Sequence, residues 1–389
     1  MIPLSVPTLQ GNEWKYVKEC LDTEWVSSAG KYVELFEEKI AEYTGTSYAV
    51  ACVNGTAALQ IALRLAGVMP GHEVIVPTIT FIAPVNTVRY NGAEPVFMDA
   101  DEYYNIDIGK TIEFINNCTR FENGYTINKS TNKRISAIVP VHVFGNAVDL
   151  EELVRVCEER NIVIVEDAAE SIGTYYTNQK LAKRHTGTIG ELGCLSFNGN
   201  KIITSGGGGM ILTDNSQFAE KARYLTTQAK DDEVRYVHDD IGYNYRLTNI
   251  QAALGVAQLE QLPKFLKKKQ DIYKKYTDEI AGVEGLKITD TPDYAENNHW
   301  MILLQVNEKI YGKDRDSLMK EFKNNGIQTR PVWYLNHLQK PYSKCQSYKI
   351  EKAPELLEQS ICLPASVDLT ETEFNTIIHF LKKSKTLGT

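Results

Sequence analysis

Lys201 stands between a Ser-Phe-Asn-Gly-Asn sequence and a run of four glycines, in the segment SFNGNKIITSGGGG at residues 196–209. A lysine amine that forms a Schiff base with an aldehyde has to be presented on a short and sterically open segment. Glycine, serine and asparagine favour such turns. The competing interpretation is a solvated surface lysine, which is the state of most lysines. Because four glycines follow it, we predict a reactive amine at Lys201.

Residues that can carry chemistry also follow three apolar stretches that we expect to be strands. Gly55 and Thr56 come after YAVACV, where backbone N–H groups and a hydroxyl at the start of a helix can bind an anion. Asp167 lies just after NIVIV, and Phe81 follows EVIVP at the entry to a helix. Each has an ordinary alternative: Thr56 and Asp167 as helix caps, and Phe81 as a core residue. Because ligands gather beyond the carboxyl ends of parallel strands, we interpret the three together.

Pyridoxal phosphate needs the groups that these segments supply. Its aldehyde takes an amine, its phosphate needs an anion site, its ring nitrogen needs a carboxylate that keeps it protonated, and its ring needs a flat surface. Lys201 provides the amine, and Ser196 can add a hydroxyl to the anion site. The main rival is a dinucleotide site at the glycine run. SGGGGMILT, however, leads into an apolar strand and lacks the G-x-G-x-x-G order, so we favour pyridoxal phosphate.

The composition argues against several other classes of function. The 389-residue chain has a formal charge of -8, which offers no general attraction for nucleic acid. Its seven cysteines are scattered without a C-x-x-C pair, which argues against disulfides and against a metal site. No segment is apolar over the length that a bilayer requires. We therefore predict a cytoplasmic protein with no nucleic-acid, membrane or metal partner.

Short apolar stretches alternate with single helical patterns, as in YAVACV followed by GTAALQIALRLAG. This alternation predicts an α/β protein with a mostly parallel central sheet, covered on both faces by helices. The pattern weakens after about Leu259, where a long helix that breaks or begins near Pro263 leads into further strands and helices. We therefore place a large domain at residues 1–259 and a smaller C-terminal α+β domain at 260–389. The polar residues 116–134 are predicted to be a surface insertion.

Several longer motifs, taken in order, resemble those of the DegT/StrS-type sugar aminotransferases, which are fold-type I enzymes that use pyridoxal phosphate. The motifs are VNGTAALQIAL, PTITFIAPVNTVRY, GAEPVFMDADEYYNID, VPVHVFGN, VEDAAESIG, GCLSFNGNKIITSGGGGMI and GYNYRLTNIQAALGVAQLEQL. The resemblance extends from IPLSVPTL near the N-terminus to GIQTRPVWYLNHLQKPY at residues 326–342. It therefore covers most of the chain.

The resemblance implies roles for individual residues around the cofactor ring. Lys201 would form the Schiff base, Asp167 would pair with the ring nitrogen, and Phe81 would stack on the ring. Glu170 would lie next to the ring hydroxyl, at a position where many relatives carry glutamine. A carboxylate can accept that hydrogen bond, and two acids three residues apart can shift each other's proton affinity.

The resemblance also implies how the cofactor phosphate is held. The Gly55–Thr56 backbone and the hydroxyls of Thr56 and Ser196 would bind it, joined by Asn244 of GYNYR from a partner subunit. The last contact implies a homodimer with shared active sites.

Within the family, TEWVSSAGKYVELFEEKIAEYTG, SFNGNKIIT and TTQAKDD resemble a subgroup that leads to bacillosamine or legionaminic acid. This implies transfer of an amino group from L-glutamate to C4 of a nucleotide-linked, UDP-type 4-keto-6-deoxy-N-acetylhexosamine, which leaves 2-oxoglutarate. One alternative is another keto-sugar, such as a GDP-linked one of the perosamine type. Others are a pyridoxal phosphate-dependent sugar dehydratase, in which the lysine is usually replaced by histidine, and a cofactor-binding regulator, which would carry a DNA-binding segment or a basic face.

Arg246, Arg330, Tyr334 and His337 are candidate contacts for the sugar or the amino acid. The last three lie in TRPVWYLNHL together with Trp333. Aromatic loops serve equally often in packing, and Arg246 could instead pair with a nearby Asp or Glu of its own chain.

Overall fold

The computed structural model of the protein describes residues 1–178, 180–232 and 234–384. Its α-helices are α1 (Glu13–Asp22), α2 (Lys31–Thr44), α3 (Gly55–Leu65), α4 (Ile82–Tyr90), α5 (Ile108–Cys118), α6 (Glu151–Arg160), α7 (Ser216–Thr226), α8 (Asn249–Ile280), α9 (Glu308–Tyr311), α10 (Arg315–Asn324), α11 (Lys352–Gln359) and α12 (Glu371–Lys383). Short 3₁₀ turns lie at Val143–Gly145 and Asn336–Leu338.

The strands are β1 (Tyr48–Cys52), β2 (Glu73–Pro77), β3 (Glu94–Met98), β4 (Thr119–Glu122), β5 (Tyr125–Asn128), β6 (Arg134–Ile138), β7 (Val163–Asp167), β8 (Tyr175–Tyr176), β9 (Leu192–Ser196), β10 (Gly209–Thr213), β11 (Leu286–Ile288), β12 (Ala295–Glu296), β13 (Ile302–Val306), β14 (Arg330–Pro331), β15 (Ser347–Tyr348) and β16 (Ser360–Leu363).

The large sheet has the strand order β1-β10-β9-β7-β6-β2-β3-β15. Neighbouring strands from β9 to β15 are parallel, whereas β10 is antiparallel to both β1 and β9. Both faces are covered: Val74 and Val76 of β2 pack into one hydrophobic cluster, and Ile75 between them packs into another. The predicted α/β class with a mostly parallel sheet is confirmed.

Residues 116–134, predicted to be a surface insertion, contain the hairpin of β4 and β5. Strand β5 pairs antiparallel with β6, so the hairpin extends the large sheet. The Nδ2 atom of Asn128 donates a hydrogen bond to the buried Glu73 carboxylate at 2.7 Å. The insertion is therefore anchored to the sheet by both backbone and side chain.

Helix α8 connects the large sheet to the C-terminal part of the chain. Thr248 caps it, because its hydroxyl accepts the N–H of Gln251 while the Gln251 side chain accepts the N–H of Thr248. The helix continues without a break through Pro263, so the predicted break or start near this residue is wrong. Proline removes one helical hydrogen bond, but tertiary packing holds the segment in place, with Phe265 buried in the core under the large sheet.

The C-terminal part contains the antiparallel sheet β11-β13-β16-β14, with α10 and α12 packed on it around a second hydrophobic cluster. Helix α8 crosses residue 259 and contributes to both clusters. Two further contacts join the halves: Ile2 forms a bridge with Ile327, and β15 pairs with β3 of the large sheet. The division at residues 259/260 stays a prediction.

None of the helices within residues 1–178, 180–232 and 234–384 combines the length and apolar character needed to cross a bilayer. All seven cysteines lie in these residues and are free thiols. In the same part of the chain, no group of three or more His, Cys, Asp or Glu side chains is arranged to hold a metal ion.

Asp99, directly after β3, ties the C-terminal segment to the large sheet. Its Oδ1 accepts the N–H of Ala353 at 2.9 Å, and its Oδ2 accepts the N–H groups of Glu351 and Lys352 at 2.9 and 2.8 Å. The Nζ of Lys110 lies 2.7 Å from Oδ2. Burial alone would raise the pKa of Asp99, but these donors hold it below its ordinary value. Asp99 is therefore a buried carboxylate at the N-terminus of α11.

Replacing Asp99 with asparagine is expected to lower the free energy of unfolding by about 2–4 kcal/mol at pH 7, because an amide cannot accept from all four donors around this buried position. The folded pKa of Asp99 is lowered, so its contribution is present above the ordinary value of 3.8 and is lost as the pH falls through the folded value. The difference in free energy of unfolding between the wild type and the Asp99→Asn protein should therefore become smaller near pH 3. Urea unfolding at pH 7 and at pH 3 measures this difference. Exposed Asp290, changed in the same way, should alter stability little. A pH-independent difference would contradict the assignment.

Candidate active site

The carboxyl ends of β1, β7 and β9 point to the same edge of the large sheet and border a cavity of about 340 Å³. Segments that are distant in sequence meet there because their strands are close neighbours in the sheet. The predicted site residues that line the cavity are Gly55, Thr56, Phe81, Asp167, Glu170, Ser196 and Lys201. The other lining residues are Asn54, Leu59, Ala83, Pro84, Ala169, Asn198, Asn200, Trp300 and Trp333.

Lys201 lies in a turn after β9, and its side chain is only 12% exposed. The alternative of a solvated surface lysine is therefore wrong. Its Nζ lies 3.7 Å from Oε1 of Glu170 and 3.9 Å from the centroid of the Trp300 ring. Burial lowers the pKa of Lys201, while the carboxyls of Glu170 and Asp167 oppose the shift. The amine is thus enclosed and closer to its neutral form than an ordinary lysine.

Asp167 is the last residue of β7, and 4% of its surface is exposed. Turns rather than a helix follow it, so the alternative of a helix cap is wrong. Its Oδ1 accepts the N–H of Ala169 at 3.0 Å, and its Oδ2 accepts no hydrogen bond from the described residues. Burial raises the pKa of Asp167, whereas the Ala169 N–H and Lys201 lower it. One carboxylate oxygen therefore stays available to a ligand atom that carries a proton.

The start of α3 leaves donors free for an anion. Asn54 caps the helix, since its side chain accepts the N–H of Ala57 at 2.8 Å. Thr56 is therefore not the cap, which corrects that alternative, and its hydroxyl makes no hydrogen bond to the described residues. The hydroxyl of Ser196, at the end of β9, is also unpaired within them and faces the same cavity. Two hydroxyls and the first N–H groups of a helix form an anion site.

The glycine run allows β10 to approach this helix start. Gly206 and Gly208 have φ angles of +76° and +106°, which favour glycine. A Cβ atom on Gly209 would lie 2.5 Å from the backbone carbon of Asn54. The glycines therefore shape the loop after Lys201 rather than bind a dinucleotide.

Glu170 is buried, and residues from two other segments of the chain donate hydrogen bonds to it. Its Oε2 accepts the N–H of Phe144 at 2.8 Å, and its backbone carbonyl accepts from Nδ2 of Asn298 at 2.9 Å. Burial raises the pKa of Glu170 to about 7, with a smaller contribution from Asp167 and an opposing one from Lys201. At neutral pH the carboxyl is therefore poised between its two protonation states.

Aromatic side chains form the walls of the cavity. Phe81 directly precedes α4 and is 53% exposed, so the alternative of a core residue is wrong. Trp333 stacks on Phe144, with ring centroids 4.5 Å apart and planes inclined by 13°. Sequence reasoning missed Trp300, because it lies just before β13, far along the chain, and no local pattern indicates that its indole contacts Lys201. Its Nε1 donates to the Asn200 carbonyl at 2.7 Å.

Five predicted residues do not line the cavity: Asn244, Arg246, Arg330, Tyr334 and His337. Asn244, Arg330 and Tyr334 are exposed. The Nδ1 of His337 lies 2.7 Å from the hydroxyl of Thr78, directly after β2. Arg246 has a buried Nε without a hydrogen-bond partner among the described residues, and it forms no ion pair with them.

Residues 7–382 match the sequence profile of the DegT/DnrJ/EryC1/StrS aminotransferase family. The chain belongs to this family. This confirms the resemblance and the fold-type I expectation, and the cofactor of the protein is pyridoxal phosphate.

Three relatives illustrate the similarity. GDP-perosamine synthase of Caulobacter vibrioides is 37% identical over 380 residues, which cover 97% of this chain and 96% of the relative. The putative pyridoxal phosphate-dependent aminotransferase EpsN of Bacillus subtilis is 34% identical over 387 residues, with 98% and 95% covered. A crystal structure of a DegT DnrJ EryC1 StrS aminotransferase from Brucella abortus has a TM-score of 0.86 at 27% identity and covers 97% of this chain and 96% of that one.

The cavity fits pyridoxal phosphate in several independent respects. It holds an enclosed amine at Lys201, a buried carboxylate at Asp167 with one oxygen unpaired, and the hydroxyls of Thr56 and Ser196 beside a helix start. These are the groups that an aldehyde, a protonated ring nitrogen and a phosphate require.

Replacing Gly55 with alanine tests the phosphate position. The added Cβ would lie 2.9 Å from Cβ of Ser196. Either the start of α3 must move away from Ser196, or the space for an anion beside these two residues must become smaller. We expect affinity for pyridoxal phosphate to fall at least about tenfold, or roughly 1.4 kcal/mol. Absorbance titration of the cofactor-free protein measures this. Gly282 is a matched control, since a Cβ there meets nothing within 4 Å. Wild-type affinity in the Gly55→Ala protein would show that the phosphate binds elsewhere.

Proposed function

We propose that the protein transfers the amino group of L-glutamate to the C4 carbonyl of a GDP-linked 4-keto-6-deoxy sugar. The observation that carries the reaction type is the enclosed Lys201 amine, which shares one cavity with the carboxyls of Asp167 and Glu170. A buried amine with a lowered pKa is suited to Schiff-base chemistry and to proton transfer.

The choice of nucleotide is supported by the relatives rather than by the cavity. The subgroup motifs favoured a UDP-linked N-acetylhexosamine and left a GDP-linked sugar as the alternative. Relatives named GDP-perosamine synthase, from three bacteria, are each 37% identical to this chain over 337 to 380 residues. We therefore place the GDP-linked sugar first and keep the UDP-linked sugar as its competitor.

Lys201 and Asp167 have different roles in this reaction. When bound, pyridoxal phosphate supplies an aldehyde that takes up the amino group and a ring that withdraws electrons from the adjacent carbon. In its neutral form, Lys201 Nζ would remove the proton from the α-carbon of glutamate, and in the second half-reaction the same amine, once protonated, would deliver a proton to C4 of the sugar. The Asp167 carboxylate holds a proton on the ring nitrogen, because a buried negative charge favours the protonated partner.

The remaining residues bind and orient. Thr56 and Ser196 donate hydroxyl hydrogen bonds to the phosphate, and Phe81 supplies a flat surface. Trp300 lies over Nζ of Lys201 and keeps bulk water from it. Because the amino group is stored on the cofactor between the two half-reactions, glutamate and the sugar use the same cavity in turn, which predicts ping-pong kinetics.

A substrate panel tests this proposal. The purified protein is incubated with L-glutamate and either GDP- or UDP-linked 4-keto-6-deoxy sugars, and the product is detected by the mass change from carbonyl to amine. We expect the GDP-linked sugar to react at the higher kcat/KM and Lys201→Ala to give no product with either. A higher value for the UDP-linked N-acetylhexosamine would reverse the order of the two sugars. Transfer by the Lys201→Ala protein would refute the mechanism.

We further propose a homodimer in which Asn244 reaches the cofactor phosphate of the partner subunit. Asn244 is exposed and lies outside the cavity of its own chain, so it has no role there. Apolar side chains just before it are exposed too, with Ile241 at 75% and Tyr236 at 72%. Exposed apolar residues beside a polar side chain are typical of a subunit interface.

Hybrid dimers test the shared site. Lys201→Ala should be inactive, and Asn244→Ala should bind the cofactor weakly. In a mixed dimer with shared sites, the chain with native Lys201 receives the native Asn244 of its partner, so half of the sites are intact. We expect cofactor affinity and activity to recover after subunit exchange, as measured by absorbance titration and turnover. If exchange is verified by mass spectrometry and no recovery follows, Asn244 acts within its own chain.

A further inference from the structure

Glu170 is held by contacts that leave one of its oxygens facing Lys201. Its Oε2 is occupied by the Phe144 N–H at 2.8 Å, and Asn298 fixes its backbone carbonyl. Its Oε1 lies 3.7 Å from Nζ of Lys201, within ion-pair distance. The carboxyl therefore cannot turn away from the amine without giving up the Phe144 hydrogen bond.

The backbone of Phe144, whose N–H donates to Oε2 of Glu170, is itself held in place by side-chain packing. Phe144 has φ of +55° and ψ of 25°, a left-handed conformation that a phenylalanine rarely adopts. Its ring stacks on Trp333 and makes an edge contact with Tyr104 at 5.9 Å between centroids. Such strain persists where the surroundings determine the conformation, and here it points the N–H at the carboxyl of Glu170.

We propose that Glu170 is the ion-pair partner that controls the protonation of Lys201: its carboxylate favours the ammonium form of the amine, and loss of that charge lets the amine give up its proton more readily. The proton passes from Nζ to water, with no change in oxidation state. The inference deepens the proposed function, on which it rests, because only a neutral amine attacks an aldehyde.

Other titratable groups surround this ion pair. Titratable groups face Glu170 from three elements: Asp167 from β7, Lys201 after β9, and the buried thiol of Cys362 from β16. Burial raises the pKa of Glu170 to about 7 and lowers that of Lys201, and the attraction between the two charges opposes both shifts. Burial raises the pKa of Cys362 to about 12, so the thiol stays neutral and takes no part.

The test measures the protonation of Lys201 in the full chain after removal of the cofactor. Trace acetic anhydride labels neutral amines, and mass spectrometry compares the Lys201 peptide with the exposed Lys267 across pH. Glutamine in place of Glu170 removes the charge that favours the ammonium form. We expect the midpoint of Lys201 labelling to fall by at least about one pH unit, the lower end of the effect of an opposite charge at this distance. Glu170→Asp keeps the charge, so its midpoint should stay closer to that of the wild type.

The matched control is Glu73→Gln, which changes another buried carboxyl of the same sheet at the far end of β2. Its Lys201 midpoint should equal that of the wild type. Equal midpoints for the wild type and Glu170→Gln would overturn the pairing, as would the same shift in Glu73→Gln. Because no sugar or cofactor is present, a failed substrate panel would refute the transamination without affecting this result, and an unshifted midpoint in an active enzyme would refute only the pairing.

Discussion

Burial of charge at the carboxyl ends of the strands is the constraint on which the rest of the structure depends. Lys201, Asp167 and Glu170 are all enclosed, and burial disfavours the charged form of each. A buried charge is tolerated only where partners compensate for lost hydration. One base and two acids in a single cavity compensate one another in part, and Oδ2 of Asp167 accepts no hydrogen bond from the described residues.

The fold provides several hydrogen-bond donors for the neighbouring buried charge of Glu166. Glu166, beside Asp167 in β7, is completely buried and accepts hydrogen bonds from Nε2 of His142 at 2.8 Å and from three N–H groups of residues 187–190. The Val148 N–H donates to Nδ1 of His142, which places the imidazole proton on Nε2. Burial would raise the pKa of Glu166, but these donors lower it. Glu166 is thus a fixed carboxylate that holds the end of β7, whereas burial raises the pKa values of Asp167 and Glu170 because fewer donors compensate for it.

The C-terminal part completes the cavity instead of standing beside it. Trp300 and Trp333 come from this part and cover Lys201 and Phe144. The Asp99 contacts and the pairing of β15 with β3 hold it against the large sheet. A change at Asp99 therefore acts on the start of α11, which lies in the same C-terminal part as the aromatic walls.

Local pattern was sufficient for much of this protein. Apolar strands alternating with helices predicted the parallel sheet, because burial on both faces demands continuous apolar strands. The positions of Lys201 and Asp167 were recognisable because the turn-forming neighbours of the lysine and the apolar strand before the aspartate lie within a few residues of each. The ordered motifs led to the family and its cofactor.

Other features depended on residues far apart in sequence, which no local pattern reports. Only the tertiary structure decided that α8 continues through Pro263, since packing on two hydrophobic clusters outweighs one lost hydrogen bond. It also decided that Trp300 covers Lys201, that Phe144 adopts a left-handed backbone, and that Oε1 of Glu170 faces the amine. The sequence alone determined which ionisable groups are present, and their enclosure together away from water determined how readily each one holds a proton.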